Sequence, residues 1–269
     1  MARRLAVVVA ALLMATGGLV SAPRPTEAVY SSSCGQGTLG TYQKYHYRSQ
    51  TASGVYGQAV IRNLHPCDTD TVAASMTQIW PADLQGSGGI VQLGFAECSP
   101  TTVQVYVSCF GHSADSNPWF VYTPSDATGG DIQAFTYLQN GRPIQGHTYG
   151  FYILRIYDSD ESQYKWRYCL TDFSTSPDQQ ACHDTSSHWA SGNLVWYGGE
   201  VHDTADEMGV NSGASGTSVS DMEYYSGGWS ASLTGSGQCN GSVPSSGMPS
   251  YYHCLWGPST VLDPYTTNH

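Results

Sequence analysis

The chain has 269 residues, with Lys+Arg 10 against Asp+Glu 21 and only 12% charged residues. A net charge of −11 repels nucleic acid and anionic membrane, so neither is an expected partner. Gly 30 and Tyr 19, with many Ser and Thr, mark a β protein, and the length suits one large all-β domain.

The first element, residues 1–28, reads as a secretory signal peptide. Arg3 and Arg4 form a basic start, Leu5 to Met14 is an unbroken apolar run, and Thr26-Glu27-Ala28 ends on a small residue suited to cleavage. The run is too short and wrongly flanked for a membrane span. Its removal leaves 7 basic and 20 acidic residues in a secreted, extracellular domain over 29–269, expected to be a monomer. Residues 29–54 are either a short propeptide or an N-terminal strand.

Short alternating or β-branched runs then recur between Gly, Pro, Asp and Ser clusters. They predict strands at 55–63, 72–80, 89–96, 102–109, 118–122, 131–139, 148–158, 164–170, 194–202 and 222–225. This spacing is that of an antiparallel β-sandwich or jelly roll. Asn140-Gly141 is a hairpin signal, and the acidic turn 158–161 predicts a second hairpin. A short helix is expected over 182–192, with Asp184 as its N-cap. The tail from 213 to 269 is Gly/Ser-rich and reads as irregular.

All eight cysteines follow the signal segment, and an even count in an exported chain reads as disulfides. Their clustering suggests that neighbours pair: Cys98 with Cys109, Cys169 with Cys182, Cys239 with Cys254, and Cys34 with Cys67. There is no Cys-x-x-Cys and no His-Glu-x-x-His, so no metal or other cofactor is expected. Gly111–Asp115 (GHSAD) lacks the last glycine of a nucleophile elbow. Any chemistry therefore rests on carboxylates.

Two polar residues stand inside apolar strands. Gln92 lies in GGIVQLGF and Glu200 in LVWYGGEV. Each has a glycine two positions away on its own face, Gly94 and Gly198, which leaves room for a ligand or for another part of the fold. A Glu and a Gln facing one groove can hydrolyse an amide bond. The Glu takes a proton from attacking water, and the Gln N–H donates to the developing oxyanion. The residues alone leave a structural alternative open, in which Gln92 bonds a neighbouring strand and Glu200 merely ends a loop. Trp80, Trp196 and His202 are the candidate substrate-binding residues beside them, the two tryptophans being equally readable as sandwich core.

MTQIW (Met76–Trp80), then GGIVQLGF (Gly88–Phe95), then LVWYGGEV (Leu194–Val201) resemble, in this order, the motifs of the neprosin-domain family. Tyr197 is an extra residue between the tryptophan and the glycines. The resemblance implies a secreted β-sandwich acting as a glutamic peptidase in acid, with one catalytic Glu in each of the last two motifs. Glu200 matches the second, and Gln92 replaces the first. IVQLGFAE is also similar to the strand that carries the catalytic Gln of the fungal glutamic peptidases, the eqolisins. That second resemblance implies a concanavalin-like jelly roll with a Gln92/Glu200 dyad acting on a polypeptide substrate. Two rivals stand beside it: a catalytically inactive module binding glycan or protein at the cell surface, and a glycosidase using Glu200 with Asp203. The latter lacks a second well-placed acid.

Overall fold

The computed structural model describes residues 39–61, 64, 76–86, 89–98, 118–124, 126, 132–203, 217–231, 238–241, 252–254 and 259–264. The signal segment and the strand expected at 102–109 lie outside these residues. So do Cys34, Cys67 and Cys109.

Fifteen strands form two antiparallel sheets among the described residues. They run β1 (Leu39–Ala52), β2 (Gly54–Val60), β3 (Met76–Gly86), β4 (Gly89–Cys98), β5 (Trp119–Tyr122), β6 (Gln133–Ala134), β7 (Thr148–Asp158), β8 (Gln163–Asp172), β9 (Gln179–Ser186) and β10 (Gly192–Asp203). Then follow β11 (Thr217–Tyr225), β12 (Trp229–Ala231), β13 (Gln238–Gly241), β14 (Tyr252–Cys254) and β15 (Ser259–Pro264). The front sheet has the order β13-β1-β10-β3-β4-β5-β6, and the back sheet β14-β15-β11-β2-β7-β8-β9. β12 pairs with β11. The expected sandwich is therefore the observed architecture.

Alternation builds the core between the sheets. From the front sheet, Leu84, Leu93, Phe95, Phe120, Tyr122 and Tyr197 face inward. They meet Tyr149, Phe151, Ile153, Trp166, Tyr168 and Leu170 of the back sheet. Phe120 packs edge-on to Tyr149 at 4.9 Å, and Tyr122 to Tyr168 at 5.3 Å. The sheets approach closely at Gly57, where a Cβ would lie 2.2 Å from the Pro81 carbonyl oxygen. Only glycine fits there.

Several expectations need correction. Residues 182–192 form no helix: Gln179–Ser186 is edge strand β9, paired along its whole length with β8. Asp184 is not an N-cap, because it forms a bidentate pair with Arg167. The Asn140-Gly141 signal marks a 3-10 turn, not a hairpin, since β6 and β7 lie in different sheets. Gln139 and Asn140 both take left-handed φ there, at 49° and 54°. The tail carries β11 to β15 rather than irregular chain alone. Strand β3 runs past Trp80 because Pro81 sits in a bulge between Ile79 and Ala82 instead of ending the strand. Residues 39–52 are strand β1, beside β10. The 158–161 turn does join a hairpin, β7 to β8.

Of the four expected disulfides, Cys169–Cys182 is present, linking facing positions of β8 and β9. Cys98 is also disulfide-bonded. Such bonds fit an oxidising compartment.

Candidate functional site

Gln92 is locked in place from three directions. Its backbone N–H donates to Thr123 Oγ1 at 2.9 Å, and its carbonyl accepts from Thr123 N at 3.1 Å. Its side-chain Nε2 donates to Asp83 Oδ2 at 2.8 Å. Asp83 is fully buried and stands directly opposite Gln92 across the β3–β4 hairpin. On its other side Asp83 faces Trp196 of β10. One row across the front sheet thus reads Trp196, Asp83, Gln92.

This row lies on the outer face of the front sheet, away from the main core. There Trp80, Ala96, Cys98, Trp119, Val121 and Trp196 form a second apolar cluster. Trp80 and Trp196, expected as groove walls, are buried at 1% and 2% exposure, so they form its floor rather than an open surface. Register puts Trp80 beside Gly198, with Gly94 opposite the bulge that follows it. The room beside these glycines falls next to an indole. Among the described residues, the buried Trp80 indole N–H has no hydrogen-bond partner. A desolvated donor of this kind costs about 1–3 kcal/mol, and a ligand carbonyl would satisfy it.

Glu200 is placed by its backbone register. It pairs with Gln43 of β1 and Gln78 of β3, and the latter row continues to Ala96 of β4. Position 200 belongs to the same alternating series of β10 as Trp196 and Gly198. Gln92 and Glu200 therefore share a sheet but not a row. They are two strands and four residues apart, roughly 10 Å across and 13 Å along a flat sheet. His202 lies two residues further on, near the end of β10. Glu97, the acidic residue of β4, falls in the Phe95 series and accepts from Leu64 N, so it sits at the core rather than on this face.

The connection before β7 closes one side of the cluster. The Arg142 guanidinium lies 3.3 Å over the Trp119 ring. Gly141, at φ 82°, keeps a Cβ away from the same ring. Sequence reasoning missed Asp83 and Arg142. Asp83 was accessible from hairpin counting: Gly86 faces Gly89, and three steps back from each gives Asp83 opposite Gln92. Arg142 carried no comparable signal.

Two further buried carboxylates hold loops on other parts of the sandwich. Asp126 accepts from Trp166 Nε1 and His188 N, each at 2.7 Å, and pairs with His188 Nδ1. Asp172 pairs with His147 Nδ1 at 2.9 Å and accepts from Gln139 Nε2 at 2.8 Å. Burial raises the pKa of both, but the donors around each outweigh it and hold both below the ordinary Asp value. Among the described residues, no group of three His, Cys, Asp or Glu side chains is positioned to hold a metal ion.

No family model and no curated protein matches the chain. Among solved structures, it is similar to scytalido-glutamic peptidase with a transition state analog inhibitor, at 12% identity and a TM-score of 0.49. That alignment covers 83% of this chain and 98% of the other. A second structure of that peptidase, with a peptide-based transition state analog, aligns at 11% identity and a TM-score of 0.42, covering 84% and 98%. SCP-B, a member of the eqolisin family of peptidases in complex with the tripeptide Ala-Ile-His, aligns at 10% identity and 0.43, again covering 84% and 98%.

Proposed function

We propose that this chain is a secreted glutamic-type endopeptidase that hydrolyses peptide bonds in acid through Gln92 and Glu200. The observation that carries the reading is the Gln92 amide, which is fixed by a buried carboxylate on the outer face of the sheet that also holds Glu200. An amide has two N–H groups. Asp83 takes one and fixes the amide plane, which leaves the other for an oxyanion. The motif resemblance supports the same pair of residues.

In this mechanism a peptide lies across the front sheet between the two rows. Ionised Glu200 removes a proton from water as the water oxygen bonds to the scissile carbonyl carbon. The carbonyl π electrons move onto oxygen, and Gln92 donates to the oxyanion. Glu200 then returns its proton to the amide nitrogen, the C–N bond breaks, and an acid and an amine leave.

The test is proteolysis of denatured casein from pH 3 to 8, comparing the mature protein with Glu200→Gln. Metal-chelating, serine, cysteine and pepstatin-type inhibitors run in parallel. Acid activity that survives the inhibitors and is lost in the variant is expected. A folded, correctly processed protein with no activity at any pH would overturn the reading. One observation favours a second reading, a non-catalytic binding module: the Gln92 amide already has a structural partner in Asp83.

A further inference from the structure

The back sheet carries a strip of aromatic rings on its outer face, facing away from Gln92. Alternation turns Val55, Phe151 and Ile153 into the core and leaves Tyr56 and Tyr152 on the opposite side, directly across from one another. Trp229 of β12 sits among them. Its ring centroid lies 5.4 Å from Tyr152, 5.4 Å from Tyr225 and 6.4 Å from Tyr56. Phe173 extends the strip past Gly150, where a Cβ would meet its ring at 2.8 Å and the Tyr56 ring at 3.1 Å. Trp229 and Phe173 remain 38% and 41% exposed. For a large ring this exposure is a cost unless something stacks on it.

The polar groups around the strip narrow the choice of occupant. Gln58 Nε2 donates to the Tyr56 hydroxyl at 2.8 Å, and Gln180 Nε2 to Thr171 Oγ1 at 2.9 Å. Arg167, the cation in this region, is already held by Asp184 through two bonds of 2.8 and 2.7 Å. Glu223 faces Tyr56 across the β2–β11 pair, with Asp221 two residues away on the same strand. A polyanion would meet these carboxylates and a net charge of −11. A hydroxyl-rich neutral chain would meet ring faces for its C–H surfaces, with amide, hydroxyl and carboxylate groups for its O–H groups.

We propose that the Tyr225–Trp229–Tyr56–Tyr152–Phe173 face binds a single chain of an uncharged polysaccharide, independently of the front sheet. The rings are mutually tilted by 41° to 74° rather than coplanar. A corrugated strip suits one free chain better than a flat crystalline surface.

The experiment is affinity electrophoresis of the full chain in gels containing laminarin, barley β-glucan or xyloglucan, with polygalacturonate as the anionic comparator. Retardation by at least one neutral glucan and none by polygalacturonate is expected. Trp229→Ala should weaken that retardation tenfold or more, and Tyr157→Ala, at an exposed ring outside the strip, should leave it unchanged. Trp229 is part-exposed at a hairpin end, and circular dichroism checks that the variant is folded. Tyr152→Ala is the second variant should Trp229→Ala misfold. Failure of all three glucans to retard the protein overturns the proposal, as does unaltered binding by a folded variant. A concentration-dependent dimer in analytical ultracentrifugation, abolished by Trp229→Ala, would instead give the face to a second copy of the chain.

Discussion

Asp83 Oδ2 accepts a 2.8 Å hydrogen bond from Gln92 Nε2, and the two residues face each other across the β3–β4 hairpin. The polar group in the middle of an apolar strand is thus answered by a second polar group on the adjoining strand. Neither is affordable alone, because a buried unpaired polar group costs more than a made hydrogen bond returns.

Asp83→Ala should therefore destabilise the fold by about 1–3 kcal/mol, the cost of leaving the Gln92 amide without this partner. Asp83→Asn should cost less, because its amide oxygen can still accept from Gln92. Urea denaturation of the three proteins measures both. With Gln92 as the oxyanion donor, Asp83→Ala also lowers kcat more than it raises KM, since the freed amide loses its orientation, and Asp83→Asn retains more of the activity.

Gly57 marks a close approach of the sheets, with a Cβ position 2.2 Å from the Pro81 carbonyl oxygen. The obstacle is backbone, so no rotamer change relieves it. Gly57→Ala should cost about 3 kcal/mol or more, the upper range of overpacking. Gly228→Ala is the comparison, because a Cβ there meets nothing within 4 Å. Its thermal midpoint should lie close to that of the parent protein.

The sandwich was legible because every second residue of strands such as β7 turns into the core, as Tyr149, Phe151 and Ile153 do, and the expected span 148–158 matches Thr148–Asp158. Edge strand β9 was not, because its burial pattern has no clean alternation and its QQACHDTS sequence has a capping-like Asp. What makes it a strand is pairing with β8, a tertiary fact. The site was half legible. Gln92 and Glu200 stood out as polar residues in apolar runs, but their offset rows depend on pairing through β3. Asp83 was hidden behind Pro81, which reads as a strand end in sequence and is a bulge in the fold. The buried anchors Asp126 and Asp172 had no local signal, since their partners lie up to 63 residues away.

The Cys169–Cys182 disulfide has a sequence separation of 13 and ties edge strand β9 to β8. Loop-closure entropy for such a span predicts a stabilisation of about 3 kcal/mol. The double variant Cys169→Ser/Cys182→Ser should lose most of that in urea unfolding. Hydrogen exchange should show the loss of protection concentrated in β9, which has a paired neighbour on one side only.

Asp126 and Asp172 supply the last prediction, which concerns acid. Both carboxylates titrate below their ordinary value of 3.8 in the folded protein. The unfolded chain binds their protons first as the pH falls. Their contribution is therefore fully present above about pH 4 and is lost as the pH drops through the lower folded values. Asp126→Asn should be less stable than the parent at pH 7, because it removes the charge that His188 and Trp166 contact. The gap between the two proteins should then shrink steadily from about pH 4 to pH 2, as the parent loses the same charge by protonation. Urea midpoints at pH 7, 4, 3 and 2 measure this gap. A gap that stays constant across the range would show that Asp126 acts through packing and neutral hydrogen bonds rather than through its charge.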